Sequence, residues 1–591
     1  MTTTASTSAT TVDRRHLLKG SLLTVSGLAA AALLGCGSDD DTDVEATPST
    51  DGPLTTTSGR PDTLPEGWIW AADLPYPYQW PDPSGTPKRG GVLRYASGYD
   101  ISTFDPTKAI AGGTLQITNP VYNRLLGFVN GPRMNPFKLE LTSELATSWE
   151  RSPDGMTFTF KMTPGVKWQN VAPLNGRPFV AADVAYAYEA YRSGGPSVSN
   201  FLNADQIQAV DDTTLKITMK RPVADFLLPL AGRYLVVFPR ELLDDGSIGT
   251  KAIGTGPMLL KDAQAGGRAL FDRNPDYWAA DVLLDGFEIR IIIEPAARLA
   301  AFRAGQVDYA YSFIQTPQEV KNLLGTNPDI QVQISPLTSN TFTFALNLSM
   351  PKFQDDRVRQ ALSLAMDREL MVTLLGEGVG RSLPVIPWDF VFDEEPTTAS
   401  GQLGEWWTHD PTKAKQLLSA AGADGLTINS TYYQYGLANT RGSEAYIDQL
   451  RAVGVTLNNR SVDYTEFNSQ WTTGKLAEAT TSGWQAAGYD ADNYFYNQIY
   501  SKSPGNRNRI NDPQIDQWAE EQQLELDPAA RRAIHRKIWD HEMKKMYRIT
   551  FPQGFAYNAY QASVRGIRTG GRGTATSYDD GTMVESAWLD K

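Results

Sequence analysis

Apolar and polar side chains alternate in several short stretches of the chain. The clearest are residues 156–162, 215–219, 289–293 and 342–348, where Met, Phe, Leu or Ile occupies every second position. A period of two places successive side chains on opposite faces of a strand. These stretches therefore predict β-strands with one buried face.

Two other stretches have helical spacing and recognisable first residues. Asp410-Pro411 and Asp527-Pro528 each combine an N-cap residue with a proline that suits the first turn, and Gly422 ends the first of these helices. The apolar residues expected to face the core are Ala414, Leu417, Leu418 and Ala421 in the first helix and Ala530, Ile534 and Ile538 in the second. Strands alternate with helices along the chain, which predicts the α/β class.

The second helix also carries two of the four histidines, His535 and His541. They are six positions apart, about 240° around a helix, so they cannot bind one metal ion together. We expect both on the surface and predict no metal site.

The first 36 residues have the layout of an export signal. Arg14 and Arg15 precede an uncharged run from 20 to 35, which is shorter than the roughly 20 residues of a membrane-spanning helix. The stretch DRRHLLK resembles a twin-arginine signal, with Leu17 where Phe is usual. Leu-Leu-Gly-Cys36 resembles a lipobox, and Cys36 is the only cysteine. We expect residues 1–35 to be removed and Cys36 to be acylated, with export by the twin-arginine or the general route left open.

Residues 36–87 are rich in Ser, Thr, Asp, Pro and Gly and are predicted to form a flexible tether, the last part of which packs on the folded body. The body that follows is longer than one hydrophobic core normally serves, so two or three lobes are expected. Removing the signal, with three positive charges and one negative, changes the net charge from -13 to -15. This acidity argues against a nucleic-acid or anionic-membrane partner.

Motifs of catalysis are missing from the sequence. It contains no Gly-x-Ser-x-Gly, His-Glu-x-x-His, phosphate-binding or dinucleotide-binding motif. Ser349 and Lys352 match Ser-x-x-Lys, but Pro351 between them opposes the helix that this motif requires. We expect a protein without catalytic residues or a cofactor, although paired carboxylates of a glycoside hydrolase are not excluded by an acidic composition.

A series of local patterns occurs in a fixed order along the body. They lie at 88–94, 103–106, 144–168, 182–184, 254–257, 273–278, 304–308 and 353–368. Most have a structural explanation: Asp355 or Asp356 can cap a helix that buries Val358, Ala361, Leu362 and Ala365. Their order, however, resembles the extracytoplasmic solute-binding proteins of ABC importers, family 5, the class with dipeptide-, oligopeptide- and nickel-binding members.

The resemblance implies a two-lobed fold of the periplasmic-binding-protein type, class II with an extra subdomain, and a hinge between the lobes. Lobe I would comprise 88–125, 251–293 and 556–591. Its subdomain would comprise 126–250, and lobe II would comprise 294–555.

The resemblance also implies where a ligand binds. Members of the family have ligand contacts around a Gly-Trp pair, matched here by Gly483 and Trp484. The other residues that we expect at the ligand are Gln485, Tyr489, Asp490 and Tyr432 from lobe II and Tyr99, Gly112 and Gly113 from lobe I. The two lobe I glycines would let the backbone approach the ligand.

One position departs from the family pattern. Peptide-binding members have an Asp three residues after the Trp, which pairs with the peptide amino terminus, but this chain has Ala487. Truncating one partner of a buried charge pair costs about 2–5 kcal/mol, so the usual mode of peptide binding is not expected. Asp490 or Asp492 can supply the charge instead, but Asp490 also suits a turn before Tyr494.

The resemblance implies a monomeric binding protein that captures a small organic solute and delivers it to an ABC permease and ATPase complex. It would be held to the outer face of the cytoplasmic membrane, in the periplasm or at the cell surface, by its lipid anchor alone. A peptide-like compound, an oligosaccharide and an opine-like amine are all open as the solute. The alternatives are an exported enzyme and a surface receptor or adhesin on the same scaffold.

Overall fold

The computed structural model describes residues 68–70, 86–130, 139–310, 314, 316–335, 339–433, 436–476, 478–484, 490–567 and 582–591. All of them belong to one compact unit, Gly52–Lys591. The predicted signal and the lipidation site Cys36 lie outside the described residues, as do Gln485 and Tyr489.

The strands are short and occur along the whole described chain. Their bounds are β1 (Trp68–Trp70), β2 (Val92–Ser97), β3 (Leu126–Phe128), β4 (Leu141–Ser143), β5 (Ala146–Arg151), β6 (Thr157–Met162), β7 (Ala204–Asp211), β8 (Thr214–Met219), β9 (Met258–Gln264), β10 (Arg268–Arg273), β11 (Gly286–Ile291), β12 (Tyr309–Ala310), β13 (Gln331–Ser335), β14 (Phe342–Leu346), β15 (Gly380–Arg381), β16 (Thr427–Tyr432), β17 (Thr456–Ser461), β18 (Ala479–Trp484), β19 (Ile549–Thr550), β20 (Gln553–Gly554), β21 (Ala556–Tyr560), β22 (Val564–Arg565) and β23 (Trp588–Leu589). The four alternating stretches of the sequence correspond to β6, β8, β11 and β14, which confirms those predictions.

The helices lie between the strands. Their bounds are α1 (Gly112–Val121), α2 (Ala181–Ser193), α3 (Leu227–Leu230), α4 (Arg240–Asp244), α5 (Pro295–Arg303), α6 (Pro317–Thr326), α7 (Pro351–Gln354), α8 (Asp356–Leu364), α9 (Arg368–Gly376), α10 (Pro411–Ala420), α11 (Gly436–Ala452), α12 (Tyr464–Thr472), α13 (Pro513–Leu524) and α14 (Pro528–Lys545). The mixture of strands and helices confirms the α/β class. Within the described part of the chain, no helix is both long and apolar enough to span a bilayer.

Three sheets of four or more strands organise the described residues, beside three two-stranded sheets. The largest has eight strands in the order β1-β13-β21-β12-β2-β11-β10-β9, a second has the order β5-β6-β8-β7, and a third has the order β17-β16-β18-β14-β19. In the largest sheet β2 is parallel to both β11 and β12, and β1 is parallel to β13. The stretch expected as a tether thus contributes one edge strand to this sheet, at 68–70.

The sheets are covered by separate hydrophobic cores. One core, called the first core, buries side chains of β2, β6, β8 and β11, and another, called the second core, buries side chains of β14, β16 and α14. The chain passes from the eight-stranded to the five-stranded sheet between β13 and β14, and it returns between β19 and β21. The exact lobe boundaries stay a prediction; β12 and β13, which lie within the predicted range of lobe II, pair in the eight-stranded sheet.

The predicted helix starts are present. Asp410 Oδ1 accepts a hydrogen bond from the backbone N–H of Lys413 at 2.8 Å, and Gly422 has a positive φ of 67° just after α10. Asp355 caps α8, whose predicted core residues Val358, Ala361, Leu362 and Ala365 are all buried. The N-cap signal and the apolar spacing therefore predicted these two helices correctly.

The buried face of α14 differs from the prediction. Ala530 is exposed, whereas Arg531 is buried and His535 is only 4% exposed. Ile538 is buried as expected. Ile534 is half-buried against the second core, so two of the three predicted residues do face it. The surface prediction for His535 was wrong, because His535 and Arg531 have partners on neighbouring elements.

Candidate functional site

Two neighbouring parallel strands end at the same edge of the five-stranded sheet. β16 pairs in parallel with β18 through Ser430 with Ala479 and Thr431 with Thr480. β16 ends at Tyr432 and β18 ends at Trp484. In open α/β sheets, ligands bind outside the carboxyl ends of parallel strands. The expected ligand residues Tyr432, Gly483 and Trp484 are thus brought together by strand direction alone.

Gly483 is explained by the packing of the sheet. A Cβ atom at this position would lie 2.6 Å from Ala345 Cβ and 2.8 Å from the backbone oxygen of Thr343, both on β14. These are closer than any ordinary contact, so the close approach of β14 and β18 requires a glycine. Trp484 pairs with Phe342 in the same ladder. Beyond it, Gln485 and Tyr489 lie outside the described residues.

The structure distinguishes the two carboxylates that follow this loop. Asp490 Oδ1 accepts the backbone N–H of Asn493 at 2.8 Å, which confirms that Asp490 forms the turn before Tyr494. Among the described residues, no donor contacts its other oxygen. Asp492 instead accepts hydrogen bonds from the side-chain amides of Gln522 at 2.6 Å and Gln523 at 3.0 Å. Asp490 is therefore the carboxylate with an oxygen left for a ligand.

The surroundings of Asp490 are strongly negative. Burial, together with the nearby carboxylates of Asp225 and Asp492, raises the pKa of Asp490 to about 8. The pKa of Asp492 is also raised, by burial and by Asp225. Arg531 is the cation that faces this group. A positive charge on a solute beside Asp490 would lower the pKa of Asp490 and stabilise its ionised carboxylate.

Asp225 and Arg531 were not anticipated from the sequence. Arg531 Nη1 and Nη2 donate to the two oxygens of Asp225 at 2.5 and 2.7 Å, across 306 positions of the chain. Arg531 also donates to Gln522 Oε1 at 2.7 Å and to Asp492 Oδ1 at 3.4 Å. A polar residue on the buried face of a helix produces no hydrophobic period, so the only available signal was an Arg within α14 at core spacing.

The expected lobe I residues also lie together. A Cβ on Gly112 would lie 2.4 Å from the ring of Tyr99, and a Cβ on Gly113 would lie 1.8 Å from the backbone oxygen of Asp100. The Tyr99 carbonyl accepts the side-chain amide of Gln116 on α1 at 3.2 Å. The two glycines therefore make room for the loop at Tyr99 and Asp100. Their role beside a ligand stays a prediction.

The described residues offer little for catalysis or metal binding. In this part of the chain, no group of three or more His, Cys, Asp or Glu side chains is arranged to hold a metal ion. Lys352 of the Ser-x-x-Lys match donates to Glu478 at 2.7 Å, and Ser349 Oγ donates to Asn347 Oδ1 at 2.6 Å. Each of these two side chains is thus engaged with a neighbour other than its motif partner.

Comparison with protein families gives a match over most of the body. The family model described as "Bacterial extracellular solute-binding proteins, family 5 Middle" matches residues 140–506. This range includes the four-stranded sheet, β14, β16 and β18, and Asp490.

Two similar proteins are bacterial. Heme-binding protein A of Haemophilus influenzae is 26% identical over 446 residues, which cover 70% of this chain and 78% of that protein. Di/tripeptide-binding protein 2 of Pseudomonas aeruginosa is 24% identical over 500 residues, which cover 79% of this chain and 90% of that protein.

A solved structure extends the likeness to the fold. The ABC transporter-associated periplasmic binding protein DppA of Helicobacter pylori, in complex with the peptide STSA, superposes with a TM-score of 0.70 at 24% identity. The match covers 85% of this chain and 99% of that one. The expected two-lobed periplasmic-binding-protein fold is confirmed by this likeness.

Proposed function

Because the chain belongs to family 5 of the bacterial extracellular solute-binding proteins, we propose that it captures a small organic solute outside the cytoplasmic membrane and delivers it to an ABC importer. Proteins of this family pass their solutes to a permease and ATPase complex. The observation that carries the proposal is the family match over 140–506, which contains the strand ends and Asp490 described above.

The solute site lies between the two groups of residues already described. Closure of the two lobes would enclose a solute and present the form that an importer recognises. The residues that we propose at the solute are Tyr99, Gly112 and Gly113 on one side and Tyr432, Gly483, Trp484, Gln485, Tyr489 and Asp490 on the other.

We further propose that the solute carries an amine or another positive charge. The second oxygen of Asp490 has no donor among the described residues, and burial together with Asp225 and Asp492 raises the pKa of Asp490 to about 8. A cationic group of the solute would offset the repulsion from Asp225 and Asp492 and stabilise the ionised carboxylate of Asp490. The names of similar proteins include binders of heme and of di- and tripeptides, so a peptide-like amine fits both the site and the family. An oligosaccharide is the alternative, favoured by Trp484, Tyr489 and Tyr432 as flat surfaces.

The remaining parts of the proposal concern location and chemistry. Residues 1–35 would be removed on export, and Cys36 would be acylated and hold a monomeric protein to the outer face of the cytoplasmic membrane. The protein would act by binding alone, without a cofactor and without turning over its solute.

A thermal-shift screen of the chain from Gly52 onward, against peptides, opine-like amines, other amines and oligosaccharides, tests the solute class. A bound solute raises the unfolding midpoint by mass action. We expect a rise with amine-bearing solutes, and we expect the Asp490→Ala variant to bind them about 30-fold more weakly or worse. Asp448→Ala removes an exposed carboxylate paired with Arg451 and should leave the affinity unchanged.

Each other outcome contradicts a named part of the proposal. A rise with oligosaccharides alone would replace the amine by a sugar. Formation of a product would indicate an enzyme, and a protein that binds no small molecule would indicate a receptor or adhesin.

A further inference from the structure

A buried ionic network joins the first core to the second core at a place other than the two crossing segments. Asp225 lies between Val223 and Phe226, whose side chains belong to the first core. Arg531 is on α14, whose Ile538 and Trp539 belong to the second core. Their bidentate contact therefore connects two bodies that the chain links elsewhere, between β13 and β14 and between β19 and β21.

Backbone contacts surround this ion pair. The N–H of Ala491 donates to Asp225 Oδ2 at 3.0 Å, and the N–H of Ala224 donates to the backbone oxygen of Gln523 at 3.1 Å. Arg221 Nη2 donates to Gln523 Oε1 at 2.5 Å. All three contacts join the segment that follows β8 to residues beyond Asp490. The part of the molecule around the first core is called the first half below, and the part around the second core is called the second half.

An apolar contact continues the same strip. A Cβ on Gly155 would lie 2.9 Å from Leu526 Cδ1 and 3.2 Å from Pro222 Cβ. Leu526 thus lies against the turn between β5 and β6. The ionic and apolar contacts together form one continuous seam.

Arg531 is held in place by residues of the same half, namely Gln522 and, through Gln522, His535. Arg531 Nε donates to the backbone oxygen of Gln522 at 2.9 Å, and His535 Nε2 lies 3.2 Å from Gln522 Oε1. The imidazole of His535 stacks on Phe495 at 4.1 Å. Arg531 therefore projects from a preorganised pocket, and Asp225 is the partner that the other half supplies.

The contact also reaches the candidate solute site. Asp225 binds the N–H of Ala491, the residue directly after Asp490. A contact made from the first half thus fixes the backbone that positions the carboxylate proposed to bind the solute.

We propose that Asp225 and Arg531 are positioning residues that form a latch: they hold the two halves together and fix the segment of Asp490, already in the solute-free protein. The inference rests on the proposed function, because lobe closure matters for an importer-linked binding protein. The pair would couple closure to solute binding: a closed latch fixes Asp490, and a solute that engages Asp490 favours the closed latch.

Amide hydrogen exchange of the full chain, without any solute, tests the latch. The sensors are the amides of Ala224 and Ala491, which cross the seam but do not touch Arg531. In the Arg531→Met variant we expect both to exchange about tenfold faster or more, because the halves separate more often. Asp225→Asn should act in the same direction, and the double variant should exceed neither single variant greatly, since both changes remove one interaction.

One amide in each half serves as a reference. Met546 at the end of α14 donates to the backbone oxygen of Glu542 at 2.8 Å on one side, and Leu228 donates to the backbone oxygen of Asp225 at 3.2 Å on the other. Both should keep their protection in Arg531→Met. The control variant Asp308→Asn breaks another bidentate pair, with Arg94 inside the eight-stranded sheet, and should leave Ala224 and Ala491 protected.

The remaining results overturn the latch. Unchanged exchange at Ala224 and Ala491 in Arg531→Met would mean that the halves do not depend on the pair. An equal increase at the sensors and at both references would mean that Arg531 merely supports local folding. The measurement uses no solute, so a failed latch and a failed solute screen are separate results.

Discussion

At the residue scale, Gly112 and Gly113 show that a glycine predicted to make room for a ligand can be required by the packing of the chain itself. The sequence predicted that these glycines let the backbone approach a ligand. In the structure, the space that their side chains would fill is taken by Tyr99 and by the backbone of Asp100. The glycines are therefore required by the chain itself, whatever else they contact.

Gly113→Ala should destabilise the protein by about 1–3 kcal/mol, because the new methyl group would overlap the backbone oxygen of Asp100. Urea unfolding measures the change. Gly325→Ala is the matched control: it lies in α6 with nothing within 4 Å of its Cβ, and it should stabilise by about 0.5–1 kcal/mol. Equal effects of the two substitutions would contradict the steric explanation.

The raised pKa of Asp490 makes a prediction about pH. The folded protein holds a proton at this carboxyl up to about pH 8, whereas an unfolded chain releases it near pH 4. Between these values the folded state binds more protons, so the free energy of unfolding falls as the pH rises. Asp490→Asn, which stays neutral, should weaken this fall and be more stable than the natural chain at pH 9.

Urea unfolding at pH 5, 7 and 9 measures the trend. Asp448→Asn, at an exposed carboxylate, should retain the full pH dependence of the natural chain. A natural chain whose stability rises from pH 5 to pH 9 and an Asp490→Asn variant that follows it in parallel would refute the assignment.

At the scale of elements, N-cap residues decided where helices begin. Asp410 accepts the N–H of Lys413, and Pro411 occupies the first turn, where its missing N–H costs nothing. These are local interactions between residues close in sequence. They could be predicted because no distant residue takes part.

Asp410→Ala should destabilise the protein by about 1 kcal/mol through the loss of this cap. Thermal unfolding and circular dichroism measure the change. The exposed Asp424, beyond the end of α10, is the control, since its replacement by Ala removes a carboxylate without touching the cap. A loss as large in Asp424→Ala would show that charge, not capping, is responsible.

At the scale of the whole molecule, an edge strand comes from the stretch expected as a tether. β1 adds Trp68, Ile69 and Trp70 in parallel to Val332, Gln333 and Ile334 of β13. A chain that starts at residue 88 loses this strand and should be less stable than one that starts at residue 65 by about 1 kcal/mol, the order of a few cross-strand pairs.

Urea unfolding of the two truncated chains measures this difference, with the chain from Gly52 as reference. The chain from residue 65 keeps β1 and should match the reference. Equal stability of all three would show that β1 adds nothing to the sheet.

The sequence by itself predicted the features that depend on interactions between residues close together in the chain. The alternation of β6 and β8 and the caps of α8 and α10 depend on residues close together in the chain, and so does each single pattern of the family. They led to the α/β class and to the family resemblance, and the resemblance in turn indicated Gly483 and Trp484 as ligand residues.

Only the tertiary structure decided which distant residues meet. Asp225 and Arg531 are separated by 306 positions, and nothing in either local sequence identifies the other. Arg531 and His535 occupy buried positions of α14 that its apolar spacing did not indicate, whereas Ala530, which was expected inside, is exposed. The same packing assigned Asp492 to Gln522 and Gln523 and left one oxygen of Asp490 open, because hydrogen bonds between separate elements are fixed by the fold and leave no period in the sequence.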